Sequence, residues 1–215
     1  VVGGDIAREY RELDKLLDKA IPQAADEIGV WKIAQGDQYY LDALKLYTTT
    51  DLTPAQLSEA GKTLVASISK QMDALLLELG QEEGSVGQRM RALSVDPAYL
   101  FPDTPEGQAA LIAAIQANIK TIEPKLGRVV GTGPKGKVDV RIAPQNSQDT
   151  APGAYYKAAS LDGERPATYN LNLRSTLDWP MWMLPTLSFH EAAPGHHLQA
   201  GLARERADQP VLNYL

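Results

Sequence analysis

Apolar residues recur at one period in the first part of this chain and at another after it, and that single change limits the folds open to it. As far as residue 127 the spacing is helical. In DIAREYRELDKLLDKAIPQAADEIGVWKI, Ile6, Tyr10, Leu13, Leu16 and Leu17 share one helical stripe, and Pro22 punctuates it. Thr53 and Pro54, with Gln56 three residues after the threonine, combine an N-cap hydroxyl, a proline at the first helical position and a capping-box partner. The helix they open is predicted to run to Gly80 with Leu57, Leu64, Ile68, Met72, Leu75 and Leu76 facing inward. DTPEGQAALIAAIQANIKTIEPKLG predicts another, capped by Asp103 or Thr104 and ended near Pro124 and Gly127. From Arg128 the period becomes two. KVDVRI sets Val138, Val140 and Ile142 against Lys137, Asp139 and Arg141, the pattern of a half-buried strand. GAYYKA (153–158) and ATYNLNL (167–173) are two further strand candidates around the turn-rich SLDGERP. GTGPKGK (131–137) lacks the spacing of a phosphate loop and reads as a loop before a strand. The expected class is α+β, mainly helical: a helical part over 1–127, then a small sheet and a final helix over 128–215, both within one large domain.

Composition narrows the function classes. The net charge of −6 and the absence of a basic cluster argue against a nucleic-acid partner. With no cysteine there is neither a disulfide, nor a thiolate nucleophile, nor a Cys-rich zinc site. No run approaches the roughly 20 apolar residues that span a bilayer, so a transmembrane chain is not expected. The opening VVGGDIAREY has neither an initiator methionine nor the plan of a signal peptide, and DQPVLNYL stops without a closing signal. The chain therefore reads as a piece of a longer protein, truncated on its C-terminal side.

All three histidines stand in FHEAAPGHHLQ (189–199). His190-Glu191 opens like the zinc-protease signature H-E-x-x-H, in which histidines at i and i+4 share one helix face and the glutamate beside them takes a proton from the metal's water. Position 194 is nevertheless a proline. In a straight helix His196 lies about 120° round from His190, and His197 about 10.5 Å along the axis, so neither joins it on one metal. Pro194 and Gly195 forbid the straight helix: the proline lacks an N–H and clashes with the preceding turn, and the glycine admits backbone paths closed to other residues. A bulge that loops out two residues would return His196 to the place of an i+4 histidine. The plainer alternative is a helix that ends at Pro194-Gly195, followed by a second helix with solvent-exposed histidines.

HEAAPGHHLQ resembles the signature of a bacterial family, domain of unknown function 885 (DUF885), whose members look like zinc peptidases of the gluzincin type. GVWKIAQGDQYYLDALKLYTTTDLTPAQL (29–57), PGAYY (152–156) and RPATYNLNL (165–173) are similar to that family as well. The resemblance implies a zincin-like site with zinc as cofactor, His190 and His196 as ligands (His197 the alternative to His196), Glu191 as general base and a peptide as substrate. Gluzincins pair substrate with an extended segment ahead of the metal helix, which makes TYNLNL the candidate. Tyr155, Tyr156, Tyr169, Asn170 and Arg174 are the candidates for contacts to substrate or to a developing oxyanion. A catalytic zinc takes three protein ligands, and the resemblance puts the third on a glutamate of a later helix. Glu205, the only glutamate after Glu191, would have to reach back about 13 Å from its place on the same helix, so that ligand is expected beyond residue 215. The isolated chain is expected to be inactive, to bind zinc poorly and to expose apolar surface around Trp182, Met183 and Leu184. LDWPMWMLPTLSF (177–189) reads as packing for the His190 helix. Many relatives look exported, which leans the expectation to an extracytoplasmic place, periplasmic or lipoprotein. The competing class is a non-catalytic peptide-binding or scaffold protein that keeps the fold without metal.

Overall fold

The structure is a computed structural model that describes residues 4–24, 26–128 and 130–205. DQPVLNYL (208–215) lies outside the described residues. By compactness the chain divides into Val1–Leu75 and Leu76–Leu215.

The first unit holds α1 (Asp5–Ala20), α2 (Gly36–Thr48) and most of α3 (Pro54–Glu78). The capping box at the start of α3 forms as expected: the Gln56 backbone N–H donates to Thr53 Oγ1 (3.3 Å) and the Thr53 N–H to Gln56 Oε1 (2.9 Å). Such a box satisfies two of the amide donors that a helix start leaves without partners. The inward face expected for α3 does not hold: Leu76 is buried, but Leu64, Ile68 and Leu75 are exposed. The stripe of α1 is also exposed, Ile6, Tyr10, Leu13, Leu16 and Leu17 alike. Helical spacing selects which side chains share a face; a second element must still lie on that face to bury it.

In the second unit, α4 (Val86–Val95) opens on a capping box of Ser85 and Gln88, and α5 (Pro105–Ile122) on Thr104, whose hydroxyl accepts from the Gly107 N–H. Asp103, the other cap considered, turns away to accept from the Thr176 N–H (2.9 Å) and the Ser175 hydroxyl (3.0 Å). These bonds hold its carboxyl below the usual carboxylate range. Three strands follow: β1 (Val138–Ile142), β2 (Ala154–Lys157) and β3 (Ala167–Leu171). Their order is β1-β3-β2, with β3 parallel to β1 and antiparallel to β2. The register aligns Val138 with Ala167, Val140 with Tyr169, and Tyr156 with Tyr169. Since side chains alternate across a sheet, Val138, Val140, Ala154, Tyr156, Tyr169 and Leu171 share one face. Helix α5 packs there with Leu111, Ile115 and Ile119, and Leu173, Trp179 and Leu184 complete the core. Ile142, expected to be half-buried, is exposed at the end of its strand. The final helices are α6 (Leu184–Glu191), which packs on α5, and α7 (His196–Glu205). The fold is thus mainly helical α+β, with one small three-stranded sheet among the described residues.

Candidate functional site

Helix α6 stops where proline and glycine require it to. Its last backbone bond runs from the Ala192 N–H to Ser188 O (3.0 Å); beyond it the Gly195 N–H reaches Phe189 O (2.9 Å). Ala193–Pro194 is cis. A Cβ on residue 195 would run into the carbonyl oxygen of His190, so this close approach requires glycine. The chain then re-enters a helix, with the Ala192 carbonyl accepting from His197 N (2.9 Å) and Leu198 N (3.3 Å). Two residues are looped out, and the result brings His190 and His196 together. Their ring centroids lie 4.7 Å apart at an interplanar angle of 83°. Two imidazoles sharing one tetrahedral zinc at about 2.0–2.1 Å per Zn–N bond have centroids about 5 Å apart. Both rings are exposed, whereas Glu191 is buried.

His197 is arranged differently. It is buried, its Nε2 lies 2.9 Å from Gly136 O and its Nδ1 3.1 Å from the Tyr156 hydroxyl. A carbonyl oxygen only accepts, so Nε2 carries a proton, and Nδ1 is engaged by the Tyr156 hydroxyl, which can donate or accept. With both nitrogens engaged, His197 has no lone pair to offer a metal. The alternative of His197 in place of His196 is corrected on that ground. The Gly136 carbonyl belongs to the glycine-rich loop ahead of β1, which read as a plain connection. Three glycines before a strand were the only signal that its backbone would serve a side chain elsewhere.

Glu191 Oε2 is buried with no hydrogen-bond partner among the described residues, as is the hydroxyl of Tyr169. Burial, and secondarily the charge of Glu191, push the Tyr169 hydroxyl far above its ordinary range. Buried polar atoms are nearly always paired, so the Glu191 carboxylate, next in the chain to His190 and close enough to Tyr169 for its charge to act there, stands out as an exception. The separation of the His190 and His196 rings fits two ligands of one zinc ion. Among the described residues no cluster of three or more His, Cys, Asp or Glu side chains forms. Glu205 is directed elsewhere, its Oε1 accepting from the Lys135 N–H at 2.6 Å.

The substrate contacts expected from TYNLNL need correcting. Strand β3 is the centre of the sheet, paired on both edges and buried along its whole length, so it cannot receive another strand. Tyr169 is fully buried in the core. Asn170 and Tyr155 are register partners on the face opposite Tyr156. The Asn170 amide donates to Thr168 Oγ1 (2.9 Å), and Lys157 Nζ stands 5.6 Å over the Tyr155 ring. Arg174 extends to Asp149 (3.7 Å). Of these only Tyr156 meets the histidines, its hydroxyl in a hydrogen bond with His197 Nδ1. The sheet edge that lies beside them is that of β2. Around α6, Trp179 and Leu184 are core residues, while Met181, Trp182 and Met183 are more than a third exposed.

The chain belongs to the family described as "Bacterial protein of unknown function (DUF885)", whose model matches residues 2–214. A solved structure, "The crystal structure of the putative lipoprotein from Colwellia psychrerythraea", is 36% identical with a TM-score of 0.92 over 97% of the chain. The chain spans 36% of that protein's length. No curated protein matches it significantly. No helix among the described residues is long and apolar enough to cross a membrane.

Proposed function

We propose that the chain carries the first part of the active site of a zinc-dependent peptidase, with a peptide as substrate. The observation that supports this most is the meeting of His190 and His196 across a break that Pro194 and Gly195 impose, next to a buried glutamate with one unpaired oxygen. Zinc, when bound, would polarise the scissile carbonyl and lower the pKa of a water towards about 7. His190 and His196 would hold it through one ring nitrogen each, with a third ligand supplied outside the described residues. Glu191 accepts the proton of the attacking water and delivers it to the leaving amine, a general-base and then general-acid role. Its burial keeps bulk water from competing for that proton. The free edge of β2 beside Tyr156 is the place for an extended peptide to pair, in the role first expected of TYNLNL. The description of the Colwellia protein as a lipoprotein supports an extracytoplasmic location.

The test is Glu191→Gln in the whole protein. It should keep its zinc and lose peptide hydrolysis by at least about 100-fold, the scale of a general base. Undiminished hydrolysis would exclude Glu191 from the chemistry.

A further inference from the structure

His197 and Tyr156 have no part in that chemistry, yet they are held with more care than most of the molecule. His197 is buried, and both its nitrogens are bonded by groups that come from distant segments. Filling space alone would not need this, since an apolar side chain of similar size would suffice without two polar partners to satisfy. What the bonds achieve is to fix Tyr156. The Tyr156 ring lies beside His196, nearly parallel to it at 17° with centroids 6.1 Å apart, and stands 5.8 Å from His197; the His190 ring is also a neighbour of His196, at 4.7 Å. His196 is otherwise exposed, at the first position of α7, and an exposed imidazole exchanges rotamers freely.

We propose that His197 is a positioning residue: anchored on the Gly136 carbonyl, it holds the Tyr156 ring against His196 and thereby fixes the orientation in which His196 meets a metal. This rests on the zinc reading above. Partners beyond the ligands typically contribute about 10–100-fold in metal affinity by restricting the ligand ring. Here the restriction acts through an aromatic wall rather than through a hydrogen bond to the ligand. The chain of support is Gly136, His197, Tyr156, His196, and only its last member touches zinc.

The experiment measures the zinc dissociation constant of the whole protein by competition with a chromophoric chelator, and the visible absorption of its cobalt-substituted form. Wild type is set beside Tyr156→Phe, His197→Ala, His197→Gln and His190→Ala. Tyr156→Phe and His197→Ala should each weaken zinc by about 10–100-fold and alter the cobalt bands, while still binding one zinc at saturation. His197→Gln carries an amide donor for Gly136 and an acceptor for Tyr156, and should recover most of the affinity. Tyr156→Phe removes one oxygen atom, so it reports even if His197→Ala fails to fold, with the melting transition as the check. Unchanged zinc affinity and cobalt spectrum in Tyr156→Phe would overturn the proposal. So would a His197→Ala protein that is folded but loses zinc as completely as His190→Ala, because His197 would then be a ligand. If His190→Ala binds zinc as tightly as wild type, the metal reading itself falls, and this inference falls with it.

Discussion

The two units spend the same kind of sequence differently. In residues 4–75, Gly36 is the only buried residue among those described, although α1 has a well-formed apolar stripe. In residues 76–205, helices with a less pronounced amphipathic pattern bury a continuous core of Leu111, Ile115, Tyr169, Leu171 and Leu184. Capping does not separate them, because α3 and α4 both open on a complete capping box. The difference is the sheet. Three strands present one apolar face wide enough for α5 and α6 to lie on, and the histidine helices are fixed to that layer. An apolar stripe states that a face can be covered; burial needs a surface to cover it.

That contrast can be broken most directly by truncating one leucine in each unit. Leu111→Ala, at a fully buried position, should destabilise the chain by about 2–5 kcal/mol. Leu16→Ala in α1, on the exposed stripe, should stay within about 0.5 kcal/mol of wild type. Urea denaturation measures both; equal losses would mean that α1 is packed as firmly as α5. A smaller loss is expected at the helix break. Gly195→Ala forces a methyl group against the His190 carbonyl and should cost about 1–3 kcal/mol as an overpacked site. It should also part the two imidazoles, which would appear as weakened zinc binding. A variant as stable as wild type would show that the close approach at residue 195 relaxes without effect.

The smallest effect is expected at Asp103, and it depends on pH. Its carboxyl is held below the usual range by the Thr176 amide and the Ser175 hydroxyl. A lowered folded-state pKa contributes stability that is fully present above the unfolded-state value and is lost as pH falls through the folded one. Asp103→Ala should therefore melt below wild type at pH 7, and the gap should close as the pH is taken below about 3. A gap that does not change with pH would mean that the charge of Asp103 contributes nothing.

Much of this fold could be read in the sequence because it depends on neighbours in the chain. Val138 to Ile142 alternate, Thr53 and Thr104 cap, and Pro194-Gly195 must break a helix; each follows from a few adjacent residues. What failed to show depends on partners far along the chain. TYNLNL alternates like a half-exposed strand, yet β3, the last strand in sequence, lies between the other two, and its Asn170 is buried because Thr168 receives its amide. The separation of His196 from His197 rests on Gly136 and Tyr156, which lie 61 and 41 residues from His197. Regular helical spacing keeps both histidines from His190, and a break at Pro194-Gly195 lets one of them join it. Which of them has its nitrogens already occupied is a property of the assembled sheet and loop.

The central claim is that His190 and His196 converge in order to hold a metal. Metal analysis of the whole protein beside its His190→Ala variant tests it most directly. The account predicts close to one zinc per chain in the wild type and almost none in the variant, with both proteins folded. Equal zinc in the two, or none in either, would contradict it.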